Sequence, residues 1–140
     1  MASGMVNLRL NDLVDFATGK NAAPTAFTLP PLLRLMTVTG SATAAGTELG
    51  TSGGYTAGGL TMGSSAFPSS AYSGGQSSSN NANVVTWTNM PAATIVGVEI
   101  WDSAATKLRW WYGDLTASKT TNSGDTLSFA ANSVTVAIQG

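Results

Sequence analysis

The sequence predicts a mainly β protein: an antiparallel β-sandwich, jelly-roll-like, with one short N-terminal helix. Three observations carry this. Apolar residues alternate with period two at Val96, Val98 and Ile100 and again at Val134, Val136 and Ile138. Turn signals at Gly40, at 102–106 and at 122–125 break the chain into short runs. Helical spacing is confined to one segment near the N-terminus. At 140 residues the chain has the size of a single domain, 1–140, divided into a helix and arm at 1–20, a Ser/Gly/Asn-rich loop at 63–83 and the sandwich around them.

The helix is read from N-L-R-L-N-D-L-V-D-F-A-T-G-K, where Leu10, Leu13, Val14 and Ala17 recur at i, i+3, i+4 and i+7. Asn7 or Asn11 is placed to cap its start, and Gly19 suits the left-handed position after its last turn. So short a helix is marginal alone, and its apolar stripe must pack on a sheet or a neighbouring subunit.

After Pro24, Pro30 and Pro31, the run 32–39 (L-L-R-L-M-T-V-T) reads as a strand covered on both faces, ending at Gly40. A loop is expected over 40–54, followed by a short, glycine-weakened strand over 55–62. From 63 to 83 the chain turns to Ser, Gly, Asn and Ala around Phe67 and Tyr72. Such a tract has little to bury, so it reads as an exposed loop, with Phe67 and Tyr72 as candidate anchors on another subunit.

Strands resume at 84–88 and 94–101, where Val96, Val98 and Ile100 share one face and Gly97, Glu99 and Trp101 the other. The turn at 102–106 returns the chain through K-L-R-W-W-Y-G as a hairpin. Strand alternation there sends Trp110 and Trp111 to opposite faces. A second hairpin is expected from the N-S-G-D turn at 122–125 through T-L-S-F to S-V-T-V-A-I at 133–138.

Composition excludes several functions. Charged residues make up 9% of the chain, against roughly 25% in an average soluble protein, and the net charge is −1. The few Lys and Arg are scattered from Arg9 to Lys119, which argues against nucleic acid, whose phosphates demand clustered cations. A neutral surface is also a poor guard against self-association, so a homo-oligomer is expected. With neither His nor Cys, the usual general base, thiolate chemistry and the commonest transition-metal ligands are missing. No apolar run reaches membrane-spanning length and no secretory signal is visible, so synthesis in a cytoplasm is expected.

The segments G-T-E-L-x4-G-Y at 46–55, V-G-V-E-I-W-D-S-A-A-T at 96–106 and W-Y-G-D-L-T-A-S-K-T-T-N-S-G-D-T-L-S-F at 111–129 resemble a family of small bacteriophage virion proteins. These are often labelled tail fibre or minor structural proteins and are common in phages of actinobacteria. Leu115, Lys119, Gly124, Asp125, Leu127 and Phe129 occupy the family's L-T-x-x-K-x-x-x-x-G-D-T-L-x-F pattern, while the 63–83 tract departs from it. The resemblance implies a structural virion component without catalytic function.

Each chemical possibility is weak beside this. Glu99, Asp102, Asp114 and Asp125 show no spacing that makes a glycosidase pair or a calcium loop, and solvation at the surface is the expectation for them. A Ser-His-Asp triad is impossible without His. No cofactor, metal or catalytic residue is expected. Phe67, Tyr72, Trp101 and Trp111 remain as candidate interface or ligand contacts, since aromatics concentrate at interfaces and a flat exposed ring can stack on a sugar. The reading favoured on sequence is a capsid-decorating or minor capsid protein, a homo-oligomer such as a trimer, bound to the major capsid protein. The competing reading is a tail-associated fibre or adhesin contacting tail proteins and host-surface glycan through Trp111 and the 63–83 loop.

Overall fold

The computed structural model describes residues 3–20 and 25–139. Among them the order is β1 (Ser3–Met5), α1 (Asn7–Ala17), β2 (Leu32–Val38), β3 (Thr47–Glu48), β4 (Leu60–Thr61), β5 (Ala71–Ser73), β6 (Gln76–Asn80), β7 (Val85–Met90), β8 (Ala93–Trp101), β9 (Arg109–Thr121), β10 (Asp125–Phe129) and β11 (Thr135–Gln139). One layer is the sheet β1-β9-β8-β2-β3, with β4 also on β2; the other consists of the pair β10-β7 and the ribbon β11-β6-β5. The pairing is antiparallel, and the architecture is the expected mainly β sandwich with one helix near its N-terminus.

The jelly-roll-like form has a simple origin. Because β8 pairs with β9, β7 with β10 and β6 with β11, residues 76–101 and 109–139 make one long hairpin closed by the 102–108 loop. This hairpin folds over itself at a corner where Thr121 Oγ1 donates to Pro91 O at 2.6 Å and Gly124 N–H donates to Met90 O at 2.9 Å. The expected second hairpin is therefore replaced: the 122–125 turn is real, but it carries the chain from one layer to the other, and β10 and β11 pair with earlier strands rather than with each other.

The fold over buries one apolar interior. Leu33, Leu35, Ile95 and Ile100 of the large sheet meet Val85, Trp87, Met90, Leu127 and Phe129, and Tyr55 and Val134 are buried with them. Trp87 and Phe129 pack edge to face, their centroids 5.8 Å apart. Each such side chain contributes about 1.5–3 kcal/mol on burial, which makes this interior the main source of stability.

Bulges revise the expected faces. The β8–β9 register slips between Ile95 and Gly97, so Ile95 joins Val98 and Ile100 in the interior and the expected Val96/Val98/Ile100 face is interrupted. A second slip, from Ile100↔Trp111 to Trp101↔Arg109, leaves Trp110 as the extra residue. The indoles of Trp110 and Trp111 consequently lie side by side, 5.9 Å apart and 29° from parallel, instead of on opposite faces.

The helix also departs from its pattern. Of the predicted stripe, Leu10 and Leu13 are half-buried while Val14 and Ala17 are exposed, and Leu8 and Phe16 outside it are 63% and 48% exposed, so this chain covers the helix only in part. The buried side chain of α1 is Arg9, paired with Asp12 at 3.1 Å and lying 5.3 Å from the Trp110 ring. No side chain caps the start; Val6 holds that position, and the N–H groups of Val6 and Asn7 donate to Trp110 O and Ala42 O. The end is as expected: Gly19, at φ 77°, donates to Phe16 O and Lys20 to Asp15 O, the paired bonds of a Schellman turn.

Inside the 63–83 tract, β5 and β6 form a hairpin around Gly74 and Gly75, both at positive φ as a tight hairpin turn requires. Its partner β11 supplies Val136, which packs on the interior, so the serines gain order from a neighbour rather than from their own burial.

Candidate functional site

Three carboxylates are each held by several hydrogen-bond donors. Glu48, on β3, accepts from Tyr55 Oη–H at 2.7 Å, Gly58 N–H at 2.6 Å and Arg34 Nη1 at 3.1 Å. The Tyr55 hydroxyl in turn accepts from Leu35 N–H at 3.2 Å, standing in for a missing strand neighbour. Burial, reinforced by the Glu48 hydrogen bond, raises the phenol well above its ordinary value of 10.0. Gly54 lies where a Cβ would run into Thr88 O, and its N–H donates to Asn89 O at 2.6 Å. Glu48, Gly54 and Tyr55 of the 46–55 motif thus fasten one loop across β2 and β7.

Glu99 plays the same part on the outer face of the large sheet. It is 1% exposed, and its Oε1 accepts from Arg109 Nη1 at 2.9 Å and Gly46 N–H at 2.8 Å, while Oε2 accepts from Trp101 Nε1–H at 3.0 Å. Arg109 also donates to Ala44 O at 2.7 Å, so the pair ties the 40–46 loop to the sheet. Asp102, fully buried, accepts from Leu108 N–H at 2.8 Å, Ala104 N–H at 3.4 Å and Trp110 Nε1–H at 3.4 Å, closing the long hairpin. Both acids were expected in solvent. Each is held by several donors and organises a turn, which is structural work and leaves neither placed as a proton carrier.

Asp125 accepts from Asn122 N–H at 2.7 Å within the corner turn, and Lys119 is exposed. The guanidinium groups of Arg9, Arg34 and Arg109 lie over Trp110, Trp101 and Tyr112, at 5.3, 3.9 and 5.8 Å from the ring centres.

The four candidate contact residues do not form one site. Trp101 is committed to Glu99 and to the Arg34 guanidinium above its ring. Phe67 is half-buried against the interior. Tyr72, on β5, is 75% exposed, the openly presented ring of the four. Trp111 is half-buried on the interior beside Phe27, and its Nε1–H is buried without a hydrogen-bond acceptor.

Trp111 lines a groove of about 540 Å³ between β9, β11 and the β1–α1 junction. Val98 and Phe129 line it where the two layers part, and Asn7, Gln76, Thr116 and Thr135 supply uncharged polar groups. A smaller hollow of about 330 Å³ lies beside β4 and β7. The groove unites residues near positions 4, 76, 98, 112 and 135, so Trp111 and the adjacent Tyr112 were the members whose residue type could draw attention in the sequence. Among the described residues no group of three His, Cys, Asp or Glu is arranged to hold a metal ion, and no helix is long and apolar enough to cross a membrane.

A search of curated proteins finds no match to this chain. The model of one family, described as podophage GP4 fiber I protein gp80, matches residues 4–137, which takes in the helix, both layers and the three motifs. The resemblance to phage virion proteins of the tail-fibre type is thereby supported over nearly the whole length, and it marks a virion component of fibre type. The chain belongs to the podophage GP4 fiber I protein gp80 family.

Proposed function

We propose that the chain is a non-enzymatic module of the tail-fibre apparatus of a tailed bacteriophage, taking part in contact with the host surface. The observation that carries this is the family match over residues 4–137, whose description names a fibre. The capsid-decorating reading favoured on sequence finds no support in that description, and the tail-fibre alternative fits it better.

The architecture is consistent with a load-carrying role. Hydrogen-bonded carboxylates fasten loops at Glu48, Glu99 and Asp102, and a twice-bent hairpin ties the two layers together. Assembly as a homo-oligomer, a trimer in this proposal, is supported by the low charge and by the exposed Leu8, Val14 and Phe16 of α1, which would find cover on another copy or on a neighbouring tail protein.

Phage carrying Trp111→Phe or Leu8→Ser/Phe16→Ser in this chain test the proposal. The fibre reading expects virions that retain the chain with Trp111→Phe but adsorb poorly, and virions that lose it with the helix substitutions. Normal adsorption by particles stripped of the chain would overturn it.

A further inference from the structure

The ribbon β11-β6-β5 meets the rest of the fold at one end. Its own ladders are regular: β6 and β11 pair without a slip from Gln76↔Gln139 to Asn80↔Thr135, and β5 sets Tyr72 opposite Ser77. There the ladder stops, and the next pair, Val85↔Phe129, belongs to β7 and β10. Between the two ladders, the crossings 81–84 and 130–134 are bridged through the Asn81 side chain, and Asn132 takes a left-handed φ of 63°. On the body side of this joint, Trp87, Leu127 and Phe129 are buried in the interior and Thr121 and Gly124 bind the corner, so that side is held fast.

The ribbon side is lightly held. Ser79 Oγ–H donates to Pro68 O at 2.6 Å and Ala82 N–H to Ala66 O at 2.8 Å, both beside the joint. The register puts Val136, Ile138, Ser77 and Tyr72 on one face, the face that Val136 turns to the interior. Cover runs out along it: Val136 and Ile138 are half-buried, and Tyr72 is exposed. The groove of about 540 Å³ opens beneath, with Ile138 on one wall and Leu115 and Thr116 of β9 on the other. β1 and β11 come alongside each other, each at the edge of its sheet, yet among the described residues no ladder joins them.

We propose that the ribbon is a hinged flap, turning as a unit about the joint at Asn81 and Asn132 and closing the groove as it swings toward β9. A hinge needs a rigid element, a few residues at its end that absorb backbone rotation, and room to move into. The β6–β11 ladder, the joint and the groove supply these in turn. Closure takes the Ile138 and Tyr72 side chains out of water, which favours it. It also strips water from the hydroxyls of Thr116 and Thr135 in the lining, which opposes it, so neither position dominates. Such collective motions run in microseconds to milliseconds.

The flap is a property of the chain alone and holds whatever its place on the virion. The sequence has no cysteine, so paired nitroxides can be introduced by substitution. Tyr72→Cys with Thr116→Cys spans the groove, and Thr88→Cys with Thr116→Cys, on the held side of the joint, is the control. All four positions are exposed in pairs that leave the interior intact, and circular dichroism checks each fold. Pulsed dipolar spectroscopy is expected to give two distances across the groove and one for the control. Asn132→Gly keeps the left-handed position and loosens the joint, so it should shift the ratio of the two distances. Hydrogen exchange should show the β6–β11 amides protected throughout, since the ribbon moves without melting. A single narrow distance across the groove, two distances in the control as well, a ratio unmoved by Asn132→Gly, or ribbon amides that exchange as fast as exposed loops would each overturn the proposal.

Discussion

Asn81 and Val134 hold each other at the second bend of the long hairpin: Asn81 N–H donates to Val134 O at 2.9 Å, and Val134 N–H donates to Asn81 Oδ1 at 2.7 Å. The same amide donates through Nδ2 to Asn83 O at 2.7 Å and Ala130 O at 2.9 Å, while Asn132 N–H donates to Asn81 O at 2.8 Å. One buried side chain thus supplies the bonds that the ladder loses where β6–β11 gives way to β7–β10. Asn132, at φ 63°, completes the bend.

Asn81→Ala removes this joint and strands Val134 N–H and two carbonyls. At about 1–3 kcal/mol for each buried unsatisfied group, the loss of stability is expected near the upper end of that range. Urea unfolding checks it, and hydrogen exchange should quicken first at Val134.

Tyr55→Phe takes away the donor to Glu48 and the acceptor for Leu35 N–H, for an expected loss of about 1–3 kcal/mol. The pH dependence has a definite sign. The folded phenol titrates above its ordinary value of 10.0, so the unfolded chain loses this proton first, and the stability it contributes is complete below about pH 10 and declines above it. Alkaline unfolding followed by fluorescence should show that decline, and it should be shallower in Tyr55→Phe.

Glu99→Gln leaves the Arg109 guanidinium, only 10% exposed, beside a neutral amide. Breaking a buried pair from one side costs about 3–5 kcal/mol, and Gln, which keeps an acceptor oxygen, should fall at or below the lower figure. Exchange at Gly46 N–H, bound to Glu99 at 2.8 Å, should rise with it.

Gly54→Ala puts a methyl against Thr88 O, where backbone on both sides leaves no flexible group to yield. Overpacking of this kind costs about 1–3 kcal/mol. Thermal unfolding should register it, whereas Gly50→Ala, with open space around the added Cβ, should leave stability nearly unchanged.

Much of the fold was legible because local chemistry decided it. Gly19 ended α1, the 102–106 turn closed the first hairpin, and the runs around Leu33, Trp87 and Ile100 became interior strands. Three features were not legible, each for a non-local reason. The bulges that moved Ile95 inward and set Trp110 beside Trp111 depend on pairing between β8 and β9, which alternation within one strand does not encode. The hairpin in 63–83 was announced by Gly74-Gly75, but polar composition argued for a loop, and its order comes from β11 some sixty residues later. Glu99 and Asp102 looked like solvated acids because their donors, Gly46, Arg109 and Leu108, lie on other segments. Of the candidate contacts, Trp111 lines the groove and Tyr72 stands exposed, while Trp101 and Phe67 serve packing.

The most direct measurement is electron microscopy of purified virions bound by an antibody fragment raised against this chain. The account predicts label on fibres at the tail. Label spread over the head, or particles that take up none, would contradict it.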